Sequence, residues 1–257
     1  MIYKIKEKFL EVSNEIKELD EYIYGRFSQF EKLSKKETTN YLKFRENSVE
    51  ILLDGNSKIL NNRIIKTDIY PIVNNVIAYL INDSNNIFIH GIVVSKNDKG
   101  ILIVGDFGQG KSTLAREFEK NGFETNSTDQ TWLEKRNDGI YMNLGSSFDI
   151  DNGKIKMLHK EKVLKNIEIK QIIRITGICD NGNVSLDETT NKYYVIKNLS
   201  YFCNWSYSIP IFTDDVVLYN ITLYTKKFLK KIIDTKIQVF DARGDKRKIV
   251  KELGELK

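Results

Sequence analysis

The feature that most limits how this chain can fold is the octapeptide GDFGQGKS at residues 105–112, which matches the pattern GxxxxGK followed by Ser or Thr. A short β-branched run at 101–104 precedes it and is typical of a buried strand. Leu114, Ala115 and Phe118 follow at the spacing of one helical face. The order strand, glycine-rich loop, helix predicts an α/β fold in which the loop joins a sheet to a helix.

A loop of this composition is suited to binding phosphate. Its glycines let successive backbone N–H groups turn toward phosphate oxygens, and the N-terminus of the following helix adds its positive end. We expect Lys111 to reach the β- and γ-phosphates and Ser112 to coordinate Mg²⁺. The expected nucleotide-binding residues are Gly105, Asp106, Phe107, Gly108, Gln109, Gly110, Lys111, Ser112 and Thr113. ATP or another NTP, together with Mg²⁺, is therefore the predicted cofactor set.

A carboxylate downstream of the loop is the candidate for chemistry on the bound phosphate. Asp129 lies seven residues after Gly122, which stands where a helix-ending glycine belongs. An ionised acid near concentrated phosphate charge serves as a general base or as a Mg²⁺ ligand. The alternative is an aspartate that caps a turn in a polar loop. His90, on an apolar run, is either a functional residue or a core histidine.

The spacing of these residues matches a known family. His90 is followed by a glycine and lies fifteen residues before Gly105, and Asp129 lies eighteen residues after Lys111. With GDFGQGKS between them, residues 86–132 resemble the bacterial HPr serine kinase/phosphorylase family and the related peptide kinases of ribosomal-peptide pathways. The resemblance implies a P-loop kinase core of the HPr-kinase and phosphoenolpyruvate-carboxykinase type, preceded by a small α+β lead-in.

The same resemblance implies roles for particular residues. Asp129 takes the position of the carboxylate that accepts the proton of the acceptor hydroxyl, and His90 that of a histidine close to the reacting phosphate. The expected catalytic residues are thus Asp129, His90 and Lys111, and the expected metal ligands are Ser112 and Asp129. Thr128 stands where the family has the first acid of a pair, which argues against reverse phosphorolysis. The family's later glycine- and arginine-bearing signature has only a poor counterpart in the RITG segment at 174–177, so the resemblance does not identify the acceptor.

The expected function is that of an ATP-dependent phosphotransferase, an HPr-kinase-like serine kinase. It would transfer the γ-phosphate to a hydroxyl, most simply of a serine or threonine on a small protein or peptide. Two other functions are compatible with the residues. One is a P-loop NTPase or small-molecule kinase, and the other is a non-catalytic nucleotide-binding regulatory module, for which Thr128 would mark lost catalysis.

The chain is expected to divide into an α+β N-terminal region, 1–85, and a P-loop kinase core, 86–257. No proline- or glycine-rich linker separates them, so we expect them to pack as one body. Sequence patterns predict a helix from Ser13 to Phe27, strands at 39–46, 49–55 and 63–69, a helix at 69–80, a single strand at 86–94, a strand at 169–178, and helices at 222–233 and from Asp245.

Composition excludes several classes of protein. The chain has 257 residues, 41% of them apolar and 29% charged, as in ordinary globular proteins. Its net charge of +5 is spread over single lysines, so neither nucleic acid nor a membrane is an expected partner. Cys179 and Cys203 lack CxxC spacing, which predicts buried thiols rather than a zinc site. Without a signal peptide or a long apolar run, a cytoplasmic protein is expected, and a homo-oligomer is left open.

Overall fold

The computed structural model describes residues 1–61, 63–106, 108–146, 148–151, 154–157, 166–188, 223, 226–232 and 234–254. Over these ranges the chain is a mixed α/β protein with two large sheets, which confirms the α/β class. Within the same ranges, no helix is long and apolar enough to cross a membrane. Phe107 and Cys203 lie outside the described residues.

The N-terminal third forms a six-stranded sheet with the order β3-β1-β2-β4-β5-β6. Its strands are β1 (Ile2–Ile5), β2 (Lys8–Asn14), β3 (Glu31–Leu33), β4 (Asn40–Arg45), β5 (Ser48–Leu53) and β6 (Asn56–Leu60). Buried and more accessible residues alternate along β4 and β5, as in a sheet with one covered face. Asp54 and Gly55 both have positive φ, 49° and 83°, in the turn that joins β5 to β6.

Two helices, α1 (Asp20–Gly25) and α2 (Lys66–Ile81), pack against this sheet and share its apolar core. The expected helix start at Ser13 is wrong, because Ser13 lies in β2 and pairs with Lys43 of β4. The expected strand at 63–69 is also wrong. Its second half begins α2, where the Asp68 carboxylate accepts the N–H of Ile65 at 2.9 Å and caps the helix.

The second sheet has the order β10-β8-β9-β15-β12-β11-β7, and β17 also pairs with β15. Its strands are β7 (Asn86–His90), β8 (Ile92–Lys96), β9 (Lys99–Val104), β10 (Glu124–Thr125), β11 (Gln130–Lys135), β12 (Ile140–Gly145), β15 (Ile167–Cys179), β16 (Ser185–Glu188) and β17 (Gln238–Asp245). A separate hairpin joins β13 (Phe148–Asp151) to β14 (Lys154–Met157). The long strand β15 runs parallel to β9 and to β17.

Residues 86–94 were expected to form a single strand, but they form two that separate at Gly91. β7 pairs with β11, whereas β8 pairs with β9, so the two halves have different partners. At the break, Thr131 Oγ1 donates to the Gly91 carbonyl and Ser127 Oγ accepts from Val93 N–H, each at 2.8 Å. Side chains thus replace the sheet hydrogen bonds that the break removes.

Helices α3 (Lys111–Lys120) and α4 (Lys246–Leu253) share an apolar cluster with one face of the second sheet, and a helical segment at 226–232 contributes to another. Phe88 and Leu144 of the second sheet belong instead to the apolar core of the N-terminal region. The two regions therefore share core residues, while the boundary at 85/86 is still a prediction. Cys179 was expected to be buried but is exposed, because β15 ends there.

Candidate functional site

The loop between β9 and α3 is the first component of the site. Gly110 precedes α3 with a left-handed backbone, φ 96°, and a Cβ at this position would lie 2.9 Å from Cβ of Ile178. Only glycine satisfies both the φ angle and the close approach. The loop therefore packs onto the end of β15, and the N-terminus of α3 points toward the loop.

Lys111 lies inside this loop rather than on its surface. Its Nζ donates to the carbonyls of Gly105 at 2.8 Å and Asp106 at 3.1 Å, and the residue is 8% exposed. Burial lowers the pKa of Lys111, and the negative charges of Asp129 and Asp106 oppose that shift. Ser112, the next residue, is exposed at the helix start. The Lys111 ammonium group thus binds the backbone at the start of the loop from its inner side.

His90 and Asp129 form the second component. His90 ends β7 and is paired with Gln130, so the strand register brings its side chain beside Asp129. His90 Nε2 lies 3.2 Å from Asp129 Oδ1. Burial of Asp129 favours its neutral form, but the hydrogen bond and charge of His90, with Arg26 and Lys111, outweigh burial and lower its pKa. Asp129 is therefore ionised at neutral pH.

Two residues of the N-terminal region complete the surroundings of Asp129, and sequence patterns gave no sign of either. Arg26 directly follows α1 and is 4% exposed, with Nη1 3.8 Å from Asp129 Oδ2. Its guanidinium carbon lies 4.5 Å from the ring centroid of Tyr70, on α2. The Tyr70 ring in turn meets His90 edge-on at 6.1 Å. Arg26 was expected only as one position of a helical face.

Ser146 holds the backbone of the segment that carries Asp129. Its Oγ accepts the N–H groups of Asp129 and Gln130, each at 2.9 Å. The preceding Gly145 permits this approach, since a Cβ there would lie 2.3 Å from Cβ of Ser127. A Gly-Ser pair at the end of β12 is the local signal, but nothing in its sequence indicates which segment it would meet.

The three expected catalytic residues thus meet in one place. Lys111 and Asp129 are close enough to influence each other's charge, and His90 contacts Asp129 directly. Phe107 alone among the expected loop residues lies outside the described part of the chain. Arg174, in the RITG segment after the loop, donates to Asp241 of β17 at 2.8 Å.

The donors and acceptors present fit a nucleotide with Mg²⁺. Gly108 (76°) and Gly110 both have positive φ, and Gly110, the N-cap of α3, has no side chain that could bond to the first-turn amides. The amides of the loop and of the first turn are therefore left to face a phosphate. Ser112 and Asp129 would supply the hydroxyl and carboxylate oxygens that Mg²⁺ takes beside phosphate oxygens. Among the described residues, no group of three or more His, Cys, Asp or Glu could hold a metal ion by itself.

Comparison with known proteins adds little to the description of this site. No family model and no curated protein matches the chain. Among solved structures, the HPr(Ser) kinase/phosphatase from Coxiella burnetii matches 44% of this chain and 93% of its own length, with 16% identity and a TM-score of 0.30. At that TM-score the likeness neither establishes a shared fold nor assigns an activity.

Proposed function

We propose that this chain is an ATP-dependent kinase with a P-loop core. It binds a nucleoside triphosphate and Mg²⁺ on the loop at 105–113 and transfers the γ-phosphate to a hydroxyl, with serine or threonine of a small protein or peptide as the acceptor class. In the reaction, the acceptor oxygen bonds to the γ-phosphorus, the bond to the bridging oxygen breaks, and ADP leaves. The hydroxyl proton passes to the Asp129 carboxylate.

The observation that carries the proposal is the convergence of Lys111 and the His90–Asp129 pair at one end of the second sheet. A phosphate loop alone accounts for nucleotide binding, but a partly buried, ionised carboxylate beside it gives an acceptor hydroxyl a partner. The low pKa makes Asp129 a weak base. Because phosphoryl transfer proceeds through a loose transition state, orienting the hydroxyl is the larger requirement.

Each side chain then has a defined task. Lys111 and the loop amides hold the phosphates and offset their charge. His90 contacts Oδ1 of the Asp129 carboxylate and so helps to fix the orientation of that group toward the acceptor. Mg²⁺, when bound by Ser112 and Asp129, would supply further charge neutralisation at the β- and γ-phosphates.

The test is incubation of the protein with γ-³²P-labelled ATP and Mg²⁺ under three conditions: no acceptor, free serine, and a degenerate mixture of Ser/Thr peptides. Label in peptide is the expected result. Lys111→Ala should abolish it, whereas Lys120→Ala, at the exposed end of the same helix, should not. Label only in serine, or only in free phosphate, would contradict the peptide acceptor and favour a small-molecule kinase or an NTPase. Binding without consumption would favour a regulatory module.

A further inference from the structure

Arg26 is a buried cation that reaches the site from the N-terminal region, about 100 residues earlier in the chain. It follows the last residue of α1 and is 4% exposed. Asp129 Oδ2, 3.8 Å from its Nη1, accepts no hydrogen bond from any residue that the structure describes. The N-terminal region thus presents a positive charge to the carboxylate proposed to meet the acceptor.

Burying a guanidinium is costly unless an anion and further contacts offset the loss of water. Asp129 provides the anion and the face of the Tyr70 ring, 4.5 Å away, provides a cation–π contact. Tyr70 is itself fixed by hydrogen bonds with Asn74 and Gln130. The charge of Arg26 is therefore held in one position by groups on both regions of the chain.

The two oxygens of Asp129 face different side chains. His90 Nε2, on β7, meets Oδ1 at 3.2 Å, and Arg26, after α1, faces Oδ2. Among the residues that the structure describes, Lys111 on α3 and Tyr70 on α2 are the other ionisable groups that interact electrostatically with Asp129 or Arg26. Rotation of the carboxylate about its Cβ–Cγ bond would move Oδ1 away from His90 and Oδ2 away from the Arg26 charge, so both contacts favour one orientation toward the loop.

We propose that Arg26 is a positioning residue for Asp129, and that the N-terminal region is thereby part of the active site rather than an appended lead-in. This inference rests on the proposed function, which gives Asp129 its role toward an acceptor hydroxyl. The orientation of the carboxylate by Arg26 can be measured without any substrate.

The measurement uses histidine resonances, because the chain has only two histidines. In ¹⁵N-histidine-labelled protein at fixed pH, His159→Gln assigns the His90 ring. Arg26→Met should shift the His90 ring nitrogens in the same direction as Asp129→Asn, since the carboxylate turns away from Nε2. Arg26→Lys, which keeps the charge but loses the planar fork, should shift them less in that direction. Arg136→Met is the matched control, because this arginine pairs with Glu134 at the far end of β11, and it should cause no shift.

Unshifted His90 resonances in the folded Arg26 variants would overturn the proposal. Arg26→Lys keeps the test decisive if Arg26→Met does not fold. Once an acceptor is found, Arg26→Met should lower kcat about tenfold to a hundredfold, as expected for a misplaced reacting group, with the Kd for Mg·AMP-PNP within twofold. A lower melting temperature with unchanged kcat would also overturn it. If wild-type protein transfers no phosphate but the resonances shift as expected, the proposed function fails while the positioning of Asp129 stands.

Discussion

At the scale of single residues, Lys111 combines burial with two hydrogen bonds to the loop that it closes. Because burial disfavours the charged ammonium group, replacing Lys111 removes a desolvation cost as well as two hydrogen bonds. We expect Lys111→Ala to leave the melting temperature of the nucleotide-free protein nearly unchanged. It should abolish the stabilisation by Mg·ATP, which is about 2.7 kcal/mol at a ligand concentration of 100 Kd. Thermal unfolding with and without Mg·ATP measures this, and an equal shift in variant and wild type would contradict it.

Asp129 is the residue on which the proposed chemistry depends most. Asp129→Asn keeps the shape of the side chain but cannot accept a proton, so kcat on the true acceptor should fall by roughly a hundredfold to ten-thousandfold. Nucleotide affinity should be retained if Asp129 is a base, and should fall in a Mg²⁺-dependent way if it is chiefly a metal ligand. Near wild-type kcat would remove the assignment and leave a turn-capping aspartate.

His90 distinguishes a functional histidine from a structural one. Its contact with Asp129 predicts that His90→Asn slows turnover while ATP affinity is largely kept. A purely structural role, suggested by its contact with the Tyr70 ring, predicts a lower melting temperature and full activity per folded molecule. Turnover normalised to the folded fraction, measured beside the melting temperature, separates the two.

At the scale of elements, the segment 126–130 crosses closely over the end of β12. Gly145→Ala would drive a methyl group against Ser127 and the Asn126 carbonyl, which lies 2.6 Å from the new Cβ, and so displace Asp129. We expect a lower kcat with nucleotide affinity intact. Gly139→Ala is the control, because just before β12 its Cβ would meet the Glu168 carboxylate at 3.2 Å and the Tyr141 ring at 3.4 Å, which are side-chain atoms rather than backbone. Equal kcat in the two variants would mean that the crossing does not position Asp129.

At the scale of the whole molecule, the core of the N-terminal region includes Phe88 and Leu144 from the second sheet. We expect the two regions to unfold in one transition. Leu144→Ala should destabilise that single transition by about 2 to 5 kcal/mol. Hydrogen exchange would check it directly, because Mg·ATP bound at the loop should then also protect amides near Arg26. Separate melting of residues 1–85, with no protection by nucleotide, would contradict a shared core.

The elements that the sequence predicted correctly are those set by interactions between residues close together in the chain. The strand β9, the loop and the helix α3 lie where the residue pattern put them, because turn glycines and helical periodicity act over a few residues. Gly122 ends α3 as expected: its N–H bonds to Glu119 O at 3.0 Å, that of Phe123 to Phe118 O at 3.2 Å, and the Phe118 and Phe123 rings are in contact. The conformation of the Asp54-Gly55 turn likewise depends only on the residues within the turn.

What only the tertiary structure decided depends on partners that are distant along the chain. The run at 86–94 is mostly apolar, and it divides at Gly91 only because its halves pair with β11 and β9. Arg26 carries no local mark of function, since an arginine in a helical pattern is ordinarily solvated. It becomes part of the site because the N-terminal core packs onto Phe88, which brings α1 and α2 beside His90 and Asp129. Burial then makes the charge of Arg26 dependent on Asp129, a coupling between two regions of the chain that no short stretch of sequence encodes.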